Sequence, residues 1–230
     1  MEYEIDVLDK KIRRVDTADE VVNWIVRIIL VALLMLVISF LYDTYAPDDK
    51  SAVYHDGDTW ITMIGTNIDY PIVQGKDNFE YLDRDPDGNF YSGGSIFLDY
   101  RNKYDFSDEY SVIYGHNMVG GKMFGDIKKY YDQKFFEEHP DGMLFTPKQN
   151  YKLKVIGIIK SNAYKGEVYG VTTVTSGVLD TIAKCKPVRS VEISGHKILA
   201  LSSCSSTMDD QRDIVFCTMT ETDQEYADLE

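Results

Sequence analysis

From Val21 to Tyr42 the chain is almost wholly apolar, and Ile28 to Ile38 holds no polar residue at all. About 20 such residues cross a bilayer as a helix, so whatever folds in water has to be built from the residues around this stretch. Asn23 and Arg27 interrupt the run near its N-terminal end, where an arginine can snorkel to the interface. A cleaved signal peptide would carry a shorter apolar core followed by small residues. Here Phe40-Leu41-Tyr42-Asp43 follows, so the stretch reads as an uncleaved anchor.

Lys10, Lys11, Arg13 and Arg14 precede the span, while Asp43, Asp48 and Asp49 follow it before Lys50. Basic residues concentrate on the cytoplasmic side of a membrane helix. The expected order is therefore a short cytoplasmic segment at 1–20, a transmembrane anchor at 21–42, a linker at 43–52 and an extracellular domain at 53–230. In the first segment Ile5, Leu8, Ile12 and Val15 recur at helical spacing. The formal net charge of −14 argues against nucleic acid as a partner, because such binders need basic stripes to displace counterions. The three cysteines cannot complete a disulfide framework, and no CxxC pair or zinc-like cluster appears.

Beyond the linker the pattern turns to short β-rich runs. Candidate strands are Thr59 to Ile64, Ile68 to Val73, Ser95 to Leu98, Ser111 to Tyr114, Met143 to Thr146, Tyr151 to Lys160, Val191 to Leu201 and Arg212 to Met219. Pro-Asp-Gly sequences at Pro86 and Pro140 read as turns. One helix is expected over Asp126 to Glu138 with Ile127, Tyr131 and Phe135 on one face. Ser176 is expected to cap a second, which carries Val178, Leu179 and Ile182 and ends before Pro187. A short third is expected over Asp77 to Leu82. Many short strands with a few inserted helices suggest a mainly β fold, a closed or nearly closed barrel.

The chemistry concentrates at Cys204. It follows the apolar run Ile198-Leu199-Ala200-Leu201, at the end of a candidate strand, with serines on both sides. Arg212 opens the next strand, and if the two are hairpin arms the guanidinium comes near the thiol. Of the other cysteines, Cys217 lies in the apolar run Ile214-Val215-Phe216 and reads as a core residue, and Cys185, between Lys184 and Lys186, as an incidental surface thiol. Among the four histidines, His116 ends a buried-looking strand and precedes Gly120-Gly121. His55 and His139 read as solvated or capping residues. His196 is eight residues before Cys204, more than about 20 Å of extended chain. A thiol, an imidazole and a guanidinium supply a nucleophile, an acid/base and an anion stabiliser, the parts acyl transfer needs.

With these residues in view the chain resembles the sortases of Gram-positive bacteria, and among them class B. The resemblance rests on Leu201-Ser202-Ser203-Cys204, similar to the family's TLxTC strand end, on Tyr114-Gly115-His116-Asn117 and on Arg212. It extends to Asn67-Ile68-Asp69-Tyr70-Pro71-Ile72-Val73-Gln74, to Asp77-Asn78-Phe79-Glu80-Tyr81-Leu82 and to Gly94-Ser95-Ile96-Phe97-Leu98-Asp99, covering about residues 53 to 219 in order. Ser203 stands where the motif commonly has threonine.

The resemblance implies an eight-stranded β-barrel with inserted helices behind an N-terminal transmembrane helix. It implies a cysteine transpeptidase that cleaves a C-terminal sorting motif at its threonine and joins the threonine carboxyl to a peptidoglycan amine. Cys204 would be the nucleophile, His116 the acid and base, and Arg212 the oxyanion or carbonyl partner. Ser203, Ser161, Asn162, Tyr164 and Tyr169 are candidates for the substrate groove. No metal or organic cofactor is implied, and the partners would be secreted proteins bearing the motif, the wall amine and the membrane. The residues alone leave open a membrane-anchored cysteine peptidase and an extracellular binding module.

Overall fold

The computed structural model describes residues 21–38, 41, 58–164, 166–204 and 210–229. The segment 1–20, the end of the expected anchor, the linker at 43–52 and His55 lie outside the described residues. The chain divides into two compact units, Met1–Asp49 and Lys50–Glu230. In the first, helix α1, Val21–Ile38, is the one described helix long and apolar enough to cross a membrane. At 1.5 Å rise per residue it is about 27 Å long, close to the hydrocarbon thickness of a bilayer.

The second unit is built on a closed barrel. Its strands among the described residues are β1 (Trp60–Met63), β2 (Asp69–Val73), β3 (Ile96–Leu98), β4 (Tyr110–Gly115), β5 (Asp141–Phe145), β6 (Asn150–Asn162), β7 (Lys197–Cys204) and β8 (Gln211–Thr222). They close in the order β1-β2-β3-β4-β7-β8-β6-β5. Each of the eight expected strands is present, and closure leaves no unpaired sheet edge. The β2–β3 and β4–β7 pairs are parallel and the others antiparallel.

Side chains alternate across the barrel wall, as the pleat requires. Leu199, Leu201, Val215, Cys217 and Ile113 point into one core with Ile61, Phe124 and Leu153. Ile198, Ala200, Ile214, Phe216, Tyr110 and Val112 belong to a second cluster, which they share with Val168, Val178, Ile182 and Cys185 of the β6–β7 connection. That connection covers the outer face of β4, β7 and β8, and a barrel wall packed on both faces explains why Ile198 to Leu201 of β7 form an uninterrupted apolar run.

Several local expectations differ from the structure. The expected helix over Asp126 to Glu138 is two pieces, a 3₁₀ segment Gly125–Tyr131 and helix α2, Gln133–Glu138. Asp132 separates them because it is extended (φ −76°, ψ 122°) and its carboxylate accepts the Phe135 amide as an N-cap. The buried apolar positions are consequently Ile127, Tyr130 and Phe136, while Tyr131 is exposed. Helix α3, Ser176–Ile182, is capped by Thr175 rather than Ser176. Asp77 to Leu82 forms turns, not a helix, with Asp77 Oδ1 accepting from the amides of Phe79 and Glu80.

Pro140-Asp141-Gly142 leads directly into β5, and Val191 to His196 lies outside any strand, so β7 begins at Lys197. Cys185 is not a surface thiol: it is buried beneath α3, its Cβ close against the backbone of Gly157 in β6.

Candidate active site

Three strand ends meet at one rim of the barrel. β7 closes at Cys204, which is the register partner of Arg212 at the start of β8. On the other side of β7, the parallel pairing with β4 ends at Gly115 opposite Ser203, so His116 follows one step beyond, level with Cys204. Neighbouring strands lie about 4.8 Å apart, and the backbones carrying a thiol, an imidazole and a guanidinium are therefore adjacent. Parity adds a second condition. Tyr114 and Ile214, together with Ser202 through its contact with Tyr169, lie on the face of the wall covered by the β6–β7 connection, each two positions from 116, 212 and 204 respectively.

His116 is fixed by its surroundings. Its Nε2 lies 2.7 Å from the carbonyl oxygen of Leu82. A carbonyl only accepts, so Nε2 carries the hydrogen in this arrangement. The His116 carbonyl accepts the Phe124 amide at 2.8 Å. A Cβ on Gly115 would clash with Ile96 Cδ1 and lie 2.8 Å from the Phe124 ring, so only glycine lets the chain pass here. Gly94 does the same for the partner loop: its φ is +60°, and a Cβ there would lie 2.5 Å from the Leu82 carbonyl. Arg212 is partly buried and donates from Nη1 to the Gln211 carbonyl at 3.1 Å.

The candidate groove residues separate. Tyr169 packs beside the site: its ring stacks on Tyr114 with centroids 6.2 Å apart, and its hydroxyl is 3.2 Å from Ser202 Oγ. Tyr164 is 80% exposed, and its amide donates to Asn162 Oδ1. Ser161 pairs in register with Arg212 and is buried, its Oγ without a hydrogen-bond partner among the described residues. Ser203 is 1% exposed, has the opposite parity to Ser202 and pairs with the buried Asp213. It shares the parity of Leu199 and Leu201, which point into the barrel core. Asp213 Oδ1 accepts from the Tyr131 hydroxyl at 2.9 Å, which ties β8 to the 3₁₀ segment.

Sequence reasoning missed the polar network behind Tyr114. The Asp99 carboxylate is fully buried, and its Oδ2 accepts from the Tyr114 hydroxyl (2.8 Å), Asn78 Nδ2 (2.9 Å) and Arg101 Nη2 (2.7 Å). Its Oδ1 accepts from the Arg101 amide and from Arg101 Nε. Burial works to raise the Asp99 pKa, but the hydrogen bonds from Arg101, Asn78 and Tyr114 outweigh it and hold the carboxyl below its ordinary value. The same environment raises the Tyr114 phenol, through burial first and the Asp99 charge second. The signal available in the sequence was an aspartate directly after the apolar triplet Ile96-Phe97-Leu98, followed two residues later by an arginine. Among the described residues no cluster of metal-ligating side chains occurs.

No family model matches the chain. Sortase B of Listeria monocytogenes is 36% identical over 158 residues, 65% of this chain and 63% of that protein. A class B sortase of Streptococcus pyogenes involved in pilus biogenesis is 34% identical and superposes with a TM-score of 0.66, over 76% of this chain and 98% of that one. The chain belongs to the class B sortases. A sortase B solved in complex with triglycine has a TM-score of 0.61 at 26% identity, over 73% of this chain and 81% of that one. The matched part of this sortase spans less than two thirds of the length of the Listeria relative. Its closed eight-stranded barrel is the architecture that the resemblance implies.

Proposed function

We propose that this class B sortase is a membrane-anchored cysteine transpeptidase acting on sorting motifs of secreted proteins. The observation that carries the reading is the register at the rim: Cys204 opposite Arg212, with His116 one step beyond the Gly115–Ser203 pair. In the proposed reaction the Cys204 thiolate attacks the threonine carbonyl and forms a C–S bond. Arg212 stabilises the tetrahedral oxyanion. His116 gives a proton to the departing amine as the C–N bond breaks, leaving a thioacyl enzyme. An incoming wall amine then gives a proton to His116, attacks the thioester and releases the thiolate. The relative solved with triglycine makes that peptide a reasonable acceptor to test.

Residues 21–42 would anchor the protein, 43–52 would link, and 53–230 would work outside the cell with the N-terminus in the cytoplasm. The basic residues before α1 support that orientation. Tyr169, beside Ser202, is the groove candidate with most structural support; Tyr164, whose amide donates to Asn162 at the end of β6, is another.

The test uses the full chain in detergent with fluorogenic peptides of the Asn-Pro-x-Thr-Asn and Ser/Pro-Pro-x-Thr-Gly types, with and without triglycine or diaminopimelate. Cleavage lost in Cys204→Ala, His116→Ala and Arg212→Ala, with amine incorporated into product, is the expected result. Cleavage to the free acid alone, indifferent to amine, would make the chain a peptidase. No cleavage of any peptide would favour a binding module.

A further inference from the structure

Two elements distant in sequence meet through Arg101. Its Nε and Nη2 grip both oxygens of the buried Asp99 carboxylate at 2.8 and 2.7 Å, while Nη2 also donates to the Tyr169 carbonyl at 2.9 Å. Asp99 in turn accepts the Tyr114 hydroxyl, and Tyr114 stacks on the Tyr169 ring. Tyr169 reaches Ser202, two residues before Cys204. The β3–β4 loop thus holds the β6–β7 connection against the face of the wall that carries Tyr114 and Ser202, two positions before His116 and Cys204. A planar guanidinium suits this task because its fork can satisfy a carboxylate while another of its N–H groups reaches a backbone carbonyl.

We propose that Asp99 and Arg101 are positioning residues whose clasp on Tyr114 and Tyr169 sets the groove wall beside the nucleophile. The clasp rests on the transpeptidase reading for its catalytic consequence but not for its structure. It touches no reacting atom. Its loss loosens substrate binding while leaving the chemistry at the strand ends in place.

The experiment compares the full chain in detergent with Arg101→Lys and Arg101→Ala. Arg101→Lys keeps a positive charge beside Asp99 but gives up the fork that also reaches the Tyr169 carbonyl. Steady-state cleavage is measured on whichever of the two fluorogenic peptide types the unsubstituted chain cuts. Amide exchange is followed at Thr172, whose N–H donates to the Tyr110 carbonyl at 2.9 Å and so reports whether the connection stays docked. Loss of a charge-assisted hydrogen bond predicts KM raised about tenfold in Arg101→Lys and more in Arg101→Ala, with kcat within about twofold and faster Thr172 exchange. Cleavage with KM and exchange both unmoved overturns the clasp. A fall in kcat at unchanged KM also overturns it, since it would put Arg101 in the chemical step. A chain that cuts neither peptide but shows the exchange change supports the clasp and overturns the transpeptidase reading instead.

Discussion

Cys204 and Arg212 are direct partners across the antiparallel β7–β8 pair, the last residue of one strand against the second of the next. Directly opposed residues of a pair lie on one face with Cβ atoms about 5 Å apart, so a guanidinium at 212 is in reach of an oxyanion forming on a carbonyl attacked from 204. Arg212→Ala is expected to lower kcat about 10²–10³-fold, the range seen on removing an oxyanion donor. Arg212→Lys should recover part of this, because charge is kept but the fork is lost. Equal falls in kcat and kcat/KM would confirm an interaction made in the transition state, whereas a rise in KM alone would reduce Arg212 to ground-state binding.

The three cysteines differ in their expected reactivity. Burial pushes the Cys185 thiol up to about 12 and raises Cys217 as well. Iodoacetamide at pH 8 should therefore label Cys204 alone in the folded chain, read by peptide mass mapping, with the other two reacting only in denaturant. Rapid labelling of Cys185 in the native chain would contradict its packing against Gly157. The same shifts have a stability consequence. A thiol whose folded pKa is raised favours folding fully below its ordinary value, and that contribution is lost as pH climbs toward about 12. The melting temperature should thus begin to fall above about pH 9.

The rim was legible because its information is local. An apolar run ending at a cysteine, and an arginine opening the next strand, mark a hairpin whose arms must place the two together. His116 was legible as the end of another strand, but its parallel pairing with β7 is a long-range relation that no spacing reveals. Cys185 was misread for that reason: Lys184 and Lys186 describe its neighbours in sequence, while its burial comes from Gly157 in β6. The break at Asp132 had a local signal, an aspartate three residues before Phe135 in capping position, outweighed by the apparent helical face around it. The Asp99 clasp left only the Asp99–Arg101 spacing as a local signal, because Asn78, Tyr114 and Tyr169 come from three other segments.

Gly94 controls His116 without touching it. Its φ of +60° and the 2.5 Å approach of a Cβ to the Leu82 carbonyl mean that Gly94→Ala has to displace the group His116 Nε2 is bonded to. The left-handed backbone alone costs about 1–2 kcal/mol in a residue with a side chain. The expected outcome is a lower denaturation midpoint together with a drop in kcat that exceeds the fraction unfolded. Gly88 is the control: it also has positive φ, +86°, but a Cβ there meets nothing within 4 Å. Gly88→Ala should lower the midpoint through the same backbone penalty while kcat per folded molecule stays unchanged. If both variants lose kcat in proportion to folding, the Leu82 contact has no part in catalysis.

The proposed chemistry needs two opposite protonation states at once. Attack requires the Cys204 thiolate, and departure of the amine requires a proton on His116. With ordinary values of about 8.5 for a thiol and about 6.5 for an imidazole, an uncoupled pair holds that combination in only about 1% of molecules. Either proton arrangement of the pair gives a bell-shaped kcat/KM profile, with a limb on each side of the optimum. The height of the bell separates the cases. A minority microstate gives slow turnover and a thiol labelled by iodoacetamide with an apparent pKa near that of free cysteine. A coupled ion pair gives a thiol that ionises well below it, shifting back up in His116→Ala. Measured together, the rate profile and the labelling profile distinguish these arrangements, and a single rising limb with no alkaline fall up to about pH 10 would remove His116 from the acid role.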